Sequence, residues 1–211
     1  MLIGRITPLV LSSGLQVLLA SAAVGPAVRA RRRLAVPALT FGILVILVVC
    51  AATQLRFPAL LSLSERSPMV ERGQLWRLLT APWFQDGGLR GTMLNLILLV
   101  AIGWAAESEL KRRCWIGAYV FGGLAGGVAG LAWQPIGAGN SIAVLGVAGA
   151  LFAARMLRAE SPRQRLYRAW PLFVCLLMAG LRDIHGLAAL AGALTGLICI
   201  SATGRIDPRL T

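Results

Sequence analysis

The sequence predicts an all-α fold: a polytopic membrane bundle of six core helices with an interfacial first loop. Three observations predict it. Of the 211 residues, 57% are hydrophobic and only 14% charged, whereas a soluble domain is about half apolar and about a quarter charged. The apolar residues form long charge-free blocks, and the mean hydropathy is +0.76. The basic residues sit in short clusters between those blocks, as in the cytoplasmic loops of membrane proteins. This pattern excludes a disordered tail, a coiled coil or a small disulfide scaffold, and argues against a soluble enzyme. A net charge of +13 would suit a nucleic-acid binder, but its placement between spans makes it a feature of membrane topology, so the expected surroundings are lipid and not nucleic acid. Cys50, Cys114, Cys175 and Cys199 are scattered without a CxxC pair, which gives no disulfide framework and no zinc site.

The elements follow in order. Residues 6–28 are charge-free but hold Pro8, Ser12, Ser13, Gln16 and Pro26. A basic start, an apolar stretch and Ala20-Ser-Ala-Ala23 fit a signal peptide; an extra helix or an interfacial helix fits equally, and the choice stays open. With the basic cluster Arg29–Arg33 this makes an N-terminal segment, 1–33. The run Leu34–Leu55 is long enough to span at about 1.5 Å per residue and is the first core helix. Residues 56–90 mix charges with Trp76, Trp83, Pro58, Pro68 and Pro82, as expected of an ordered loop at the membrane interface. The second helix is expected over Gly91–Ala106.

The charge-free run Cys114–Ala154 must hold two helices and the turn sequence Gln134-Pro-Ile-Gly-Ala-Gly-Asn140. Two full spans need about 40 residues, which leaves none for the turn. The fourth helix is therefore expected to start below the surface, at Asn140 or Ser141, fed by a loop that dips into protein. A basic loop with Arg155, Arg158, Arg163, Arg165 and Arg168 follows. The fifth helix is expected to be short, Ala169–Leu181, thin enough to draw in the bilayer. Arg182 and Asp183 mark a tight turn, and the sixth helix runs from about Ile184 to Thr203. The membrane domain is thus 34–204 with a tail, 205–211. Most of the 21 basic residues fall on one side, which orients both core termini to the cytoplasm.

His185 is the single histidine and lies just inside the sixth helix, where an ionisable group is costly and functional by default. A serine in a membrane helix ordinarily bonds its own backbone, but Ser141 should lie at the depth of His185, because both helices enter from the outer side. A serine beside a histidine base is the minimal activated nucleophile for acyl transfer. Asn95 falls near the same level, where its amide suits an oxyanion donor. Small residues repeat at i, i+4 in the third helix (Gly122, Gly126, Gly130), the fourth (Gly146, Ala150) and the sixth (Ala188, Gly192, Gly196), allowing close backbone approach. Asp183 is assigned to the turn, outside the helix, and not to a triad. A transporter is disfavoured because no span beyond His185 carries a central charge.

These residues resemble the rhomboid intramembrane serine proteases over roughly 36–203. The motifs are Gly73-Gln-Leu-Trp-Arg-Leu-Leu-Thr80, Asn95, Gly103-xxx-Glu107, Ala118-Tyr-Val-Phe-Gly-Gly-Leu-Ala-Gly-Gly127, Gly139-Asn-Ser141 with Gly146 and Gly149, and His185 with Gly192. The resemblance implies a Ser141–His185 dyad cutting peptide bonds in or near a substrate's transmembrane helix, an oxyanion held by Asn95 and the Ser141 N–H, and the fifth helix as a gate. No metal, nucleotide or redox cofactor is implied. The implied surroundings are a bacterial cell membrane, and the implied partners are transmembrane protein substrates. Two positions depart from the family: Gly91 stands where a second oxyanion donor, a histidine, is usual, and Ile142 replaces a glycine after the serine. Some relatives of this fold bind membrane clients without cutting them, which is the alternative reading.

Overall fold

The computed structural model describes residues 3–29 and 37–203, with side chains for 11–28 and 37–201. The basic residues 31–33, Arg205 and Arg209 lie outside the described residues. Helices follow one another as α1 (Ile3–Arg29), α2 (Ala38–Arg56), α3 (Ala59–Ser64), α4 (Arg77–Thr80), α5 (Gly88–Glu107), α6 (Arg112–Trp133), α7 (Ser141–Leu157), α8 (Pro162–Gly180) and α9 (Ile184–Thr203). The six-helix core is α2 and α5–α9. Among the described residues, α1, α2, α5, α6 and α9 are long and apolar enough to cross a membrane.

The centre of the bundle is α7. Every residue from Ser141 to Arg155 is buried, packed chiefly against α9 and α6 and then against α5 and α8. At 17 residues it falls short of the about 20 that a lipid-exposed span needs. Protein surrounds it, so its start below the surface leaves no backbone facing lipid. Small residues set the α7–α9 spacing. A Cβ placed on Gly192 would fall onto the Gly146 carbonyl, and one on Gly149 onto the Ala189 carbonyl, so the two backbones touch.

Other family motifs prove to be joints. Glu107, at the end of α5, accepts bonds from the N–H groups of Leu39 (3.1 Å) and Thr40 (2.6 Å) and from the Thr40 hydroxyl (2.6 Å). It thereby satisfies the open N-terminus of α2. Arg77 is buried and donates to the carbonyls of Ser62 (2.8 Å) and Glu65 (3.0 Å) and to Gln74 Oε1 (2.7 Å), which ties the 56–87 loop into a folded unit. That loop holds α3, α4 and 3-10 turns at Pro68–Val70 and Ala81–Trp83. It leaves Leu75, Trp76 and Leu79 exposed, a surface suited to the headgroup region.

Three expectations need correction. Helix α8 begins at Pro162 and not Ala169. Ser161 accepts from the Gln164 N–H at 3.2 Å with Pro162 at the first helical position, a strong start signal that a search for uncharged runs passes over. The helix is 19 residues long, so its length gives no basis for local thinning. Arg155 is not a loop charge but a buried residue in the last turn of α7, paired with Glu109 at 2.7 Å and donating to the α1 carbonyls of Ala22 (2.9 Å) and Ala23 (2.7 Å). Helix α5 starts at Gly88, one turn before the expected Gly91, which sets Asn95 two turns deep. Residues 3–29 form a single helix packed against α5, α7 and α8.

Candidate active site

The site lies where the N-termini of α7 and α9 meet beneath the 56–87 loop. The loop and the turn before α7 are stitched together. Arg66 and Gly137 exchange backbone hydrogen bonds at 2.9 and 3.1 Å, and the Arg66 guanidinium donates to the Gln134 carbonyl at 2.7 and 3.1 Å. Asp86 Oδ2 accepts from the Ala138 N–H at 2.9 Å, and the Gly139 N–H donates to the Ala81 carbonyl at 3.0 Å. These bonds fix the entry to α7. Gly139 itself has φ +149, a left-handed conformation that side chains rarely adopt.

Ser141 opens α7 and His185 is the second residue of α9. Their side chains meet: Ser141 Oγ lies 2.9 Å from His185 Nε2. His185 is 14% exposed and Ser141 is 9% exposed, so the pair is largely shielded yet open to a cavity of about 490 Å³. Asn95, Gly91, Gly139 and Ile142 line the same cavity, with Arg66, Asp86 and Arg90 at its polar side. All three residues expected to act together are therefore in one place.

Asn95 Nδ2 donates to Gln85 Oε1 at 2.6 Å. That uses one of its two N–H donors and leaves the other. A Cβ built on Gly139 would stand 3.0 Å from Asn95 Nδ2 and 3.8 Å from Ser141 Oγ, so the space above Gly139 is ringed by the amide and the hydroxyl. Nothing lies within 4 Å of a Cβ built on Gly91; the position that departs from the family motif faces open space.

A family model described as the Rhomboid domain matches residues 72–205. The chain belongs to the rhomboid family. No curated protein matches it. The matched region begins within the first loop. Ser13 and Gln16 of α1, which precede it, also line the cavity.

The sequence reading missed Gln85, Ser13 and Gln16. Gln85 is buried; its side chain positions Asn95, while its backbone N–H and carbonyl bond the Gln54 side chain at 2.9 and 2.7 Å. No periodicity marks such a residue. Asp183 was assigned to the turn. It does lie there, but its Oδ1 is 2.6 Å from His185 Nδ1 and accepts from the His185 backbone N–H at 3.0 Å. A carboxylate at a helix N-cap bonds the N–H two residues on, and here the same geometry brings it to the ring. Burial pushes the Asp183 carboxyl up, but the hydrogen bonds from His185 outweigh it and hold it below the ordinary carboxylate value.

Proposed function

We propose that this rhomboid-family protein is an intramembrane serine protease that hydrolyses peptide bonds in or near the transmembrane helices of its substrates. The observation that carries the reading is the 2.9 Å approach of Ser141 Oγ to His185 Nε2 at the edge of a cavity. Ser141 Oγ attacks the scissile carbonyl carbon while His185 Nε2 takes the hydroxyl proton. The tetrahedral oxyanion is held by the second Asn95 N–H and by the Ser141 N–H, which at the start of a helix has no intrahelical partner. His185 then returns the proton to the leaving amine nitrogen. A water enters through the polar side of the cavity, gives its proton to His185 and attacks the acyl ester; the proton passes back to Ser141 as the ester breaks. The proposed setting is a cell membrane, with both ends of the 34–204 domain on the cytoplasmic side.

A second reading is favoured by one observation. The space over Gly91 lacks the oxyanion donor usual in the family, and such a loss costs about 10²–10³ in rate. A non-cutting rhomboid that binds transmembrane clients would tolerate it. A serine-reactive fluorophosphonate separates the two. The protease is expected to be labelled at Ser141, with labelling abolished in Ser141→Ala and His185→Ala. Folded wild-type protein that stays unlabelled identifies the client binder. Gly91→His has room for its side chain, and a gain in labelling rate over wild type would mark that gap as what limits catalysis.

A further inference from the structure

We infer that Asp183 is a positioning residue for His185, so that the site works as a Ser141–His185–Asp183 triad. The inference rests on the protease reading and extends it. Asp183 Oδ1 lies 2.6 Å from His185 Nδ1, and the two side chains are 13% and 14% exposed. An ionised carboxylate only accepts hydrogen bonds, so Nδ1 carries the ring proton and Nε2 presents its lone pair to the Ser141 hydroxyl. That is the tautomer a general base requires. When Nε2 takes the serine proton, the imidazolium faces an anion at charge-assisted hydrogen-bond distance; Asp183 keeps its charge and takes no proton.

Helix α1 lies beside Asp183. Ser12 of α1 lines the same cavity as Asp183 and His185, and Gln16 Nε2 donates to Ser12 Oγ at 3.2 Å. That second cavity, about 440 Å³ and separate in its lining from the first except for Ser13, Gln16, Gln134 and His185, exposes Ser12, Asp183 and His185 together. The bonds from Asp183 to His185 and from His185 to Ser141 are directionally consistent with one anion at Asp183.

Asp183 also caps α9, so the test must separate positioning from folding. Asn and Ser cap as well as Asp, which makes Asp183→Asn and Asp183→Ser the informative variants of the full chain in detergent or nanodiscs. The single histidine allows an unambiguous 15N spectrum of the imidazole. In wild type at neutral pH, Nδ1 is expected to be protonated and Nε2 bare. In both variants this preference is expected to be lost, with fluorophosphonate labelling of Ser141 slowed about 10²–10⁴-fold and the melting midpoint close to wild type. An unchanged 15N pattern and unchanged labelling in a folded variant overturn the inference. Wild-type protein that shows the protonated Nδ1 but no labelling overturns proteolysis while leaving the Asp183–His185 arrangement standing.

Discussion

Gly139 carries two constraints at one residue. Its φ of +149 is reached freely only without a side chain, and a Cβ there would press to 3.0 Å on the Asn95 amide. Gly139→Ala is therefore expected to move the oxyanion side of the site rather than the dyad. A misplacement of about 1 Å costs roughly 10²-fold, so labelling should slow by about that factor. The 15N spectrum of His185 should stay that of wild type, and a change there would contradict this account. Ser141, His185 and Asn95 were legible from sequence because a helix converts residue number into depth. Gln85 was not, since it acts by filling the space behind Asn95, and a glutamine between Trp83 and Asp86 carries no period. Asp183 lies in the turn as expected, but its contact with the His185 ring was not legible, because an N-cap carboxylate bends back over the first turn.

Between elements, one buried ion pair joins three helices. Glu109 follows α5, Arg155 ends α7, and the guanidinium reaches the carbonyls of Ala22 and Ala23 on α1. Arg158 adds a contact to Glu109 at 3.7 Å. Removing one partner of a buried pair leaves an uncompensated charge and costs about 3–5 kcal/mol. Arg155→Met should lower the melting midpoint accordingly, and the double variant Arg155→Met/Glu109→Gln should regain much of the loss; a double variant no better than the single one would refute the pairing as the cause. The sequence showed Arg155 as one of five arginines after an apolar run, and charge counting places such residues in a loop. Only the packing of α1 and α5 against the end of α7 makes it a helix residue with four acceptor atoms. The same blindness shortened α8, whose first two turns are basic and yet capped by Ser161 and Pro162.

At the scale of the molecule, α1 completes a bundle whose family-matched part begins at residue 72. Leu19, Ala23 and Ala27 of α1 are buried, and Gln16, Ser13 and Ser12 face the site. A chain beginning at Pro37 forfeits the two bonds from Arg155 to α1, at about 1.5–3 kcal/mol each for a charged donor. With about 2–4 °C per kcal/mol at this size, its midpoint should fall by roughly 6–24 °C. Fluorophosphonate labelling should slow as well, because the cavity beside Asp183 and His185 loses the wall that Ser12, Ser13 and Gln16 supply. A truncated chain that melts and labels as the full one does would show α1 to be a bystander.

Hydropathy and charge placement by themselves determined a helical membrane bundle, the order of its core helices and the start of α7 at Asn140 or Ser141, because lipid permits few ways to satisfy a backbone. The rhomboid resemblance rested on single residues at fixed helical depths, and those depths survive folding. Contacts between elements were decided only in three dimensions. That α1 packs on the bundle, that Arg155 is buried, and that Asp183 touches the ring of His185 depend on which helices lie side by side. Periodicity reports the faces of one helix at a time, and a hydrogen bond between two helices leaves no trace in the spacing of either.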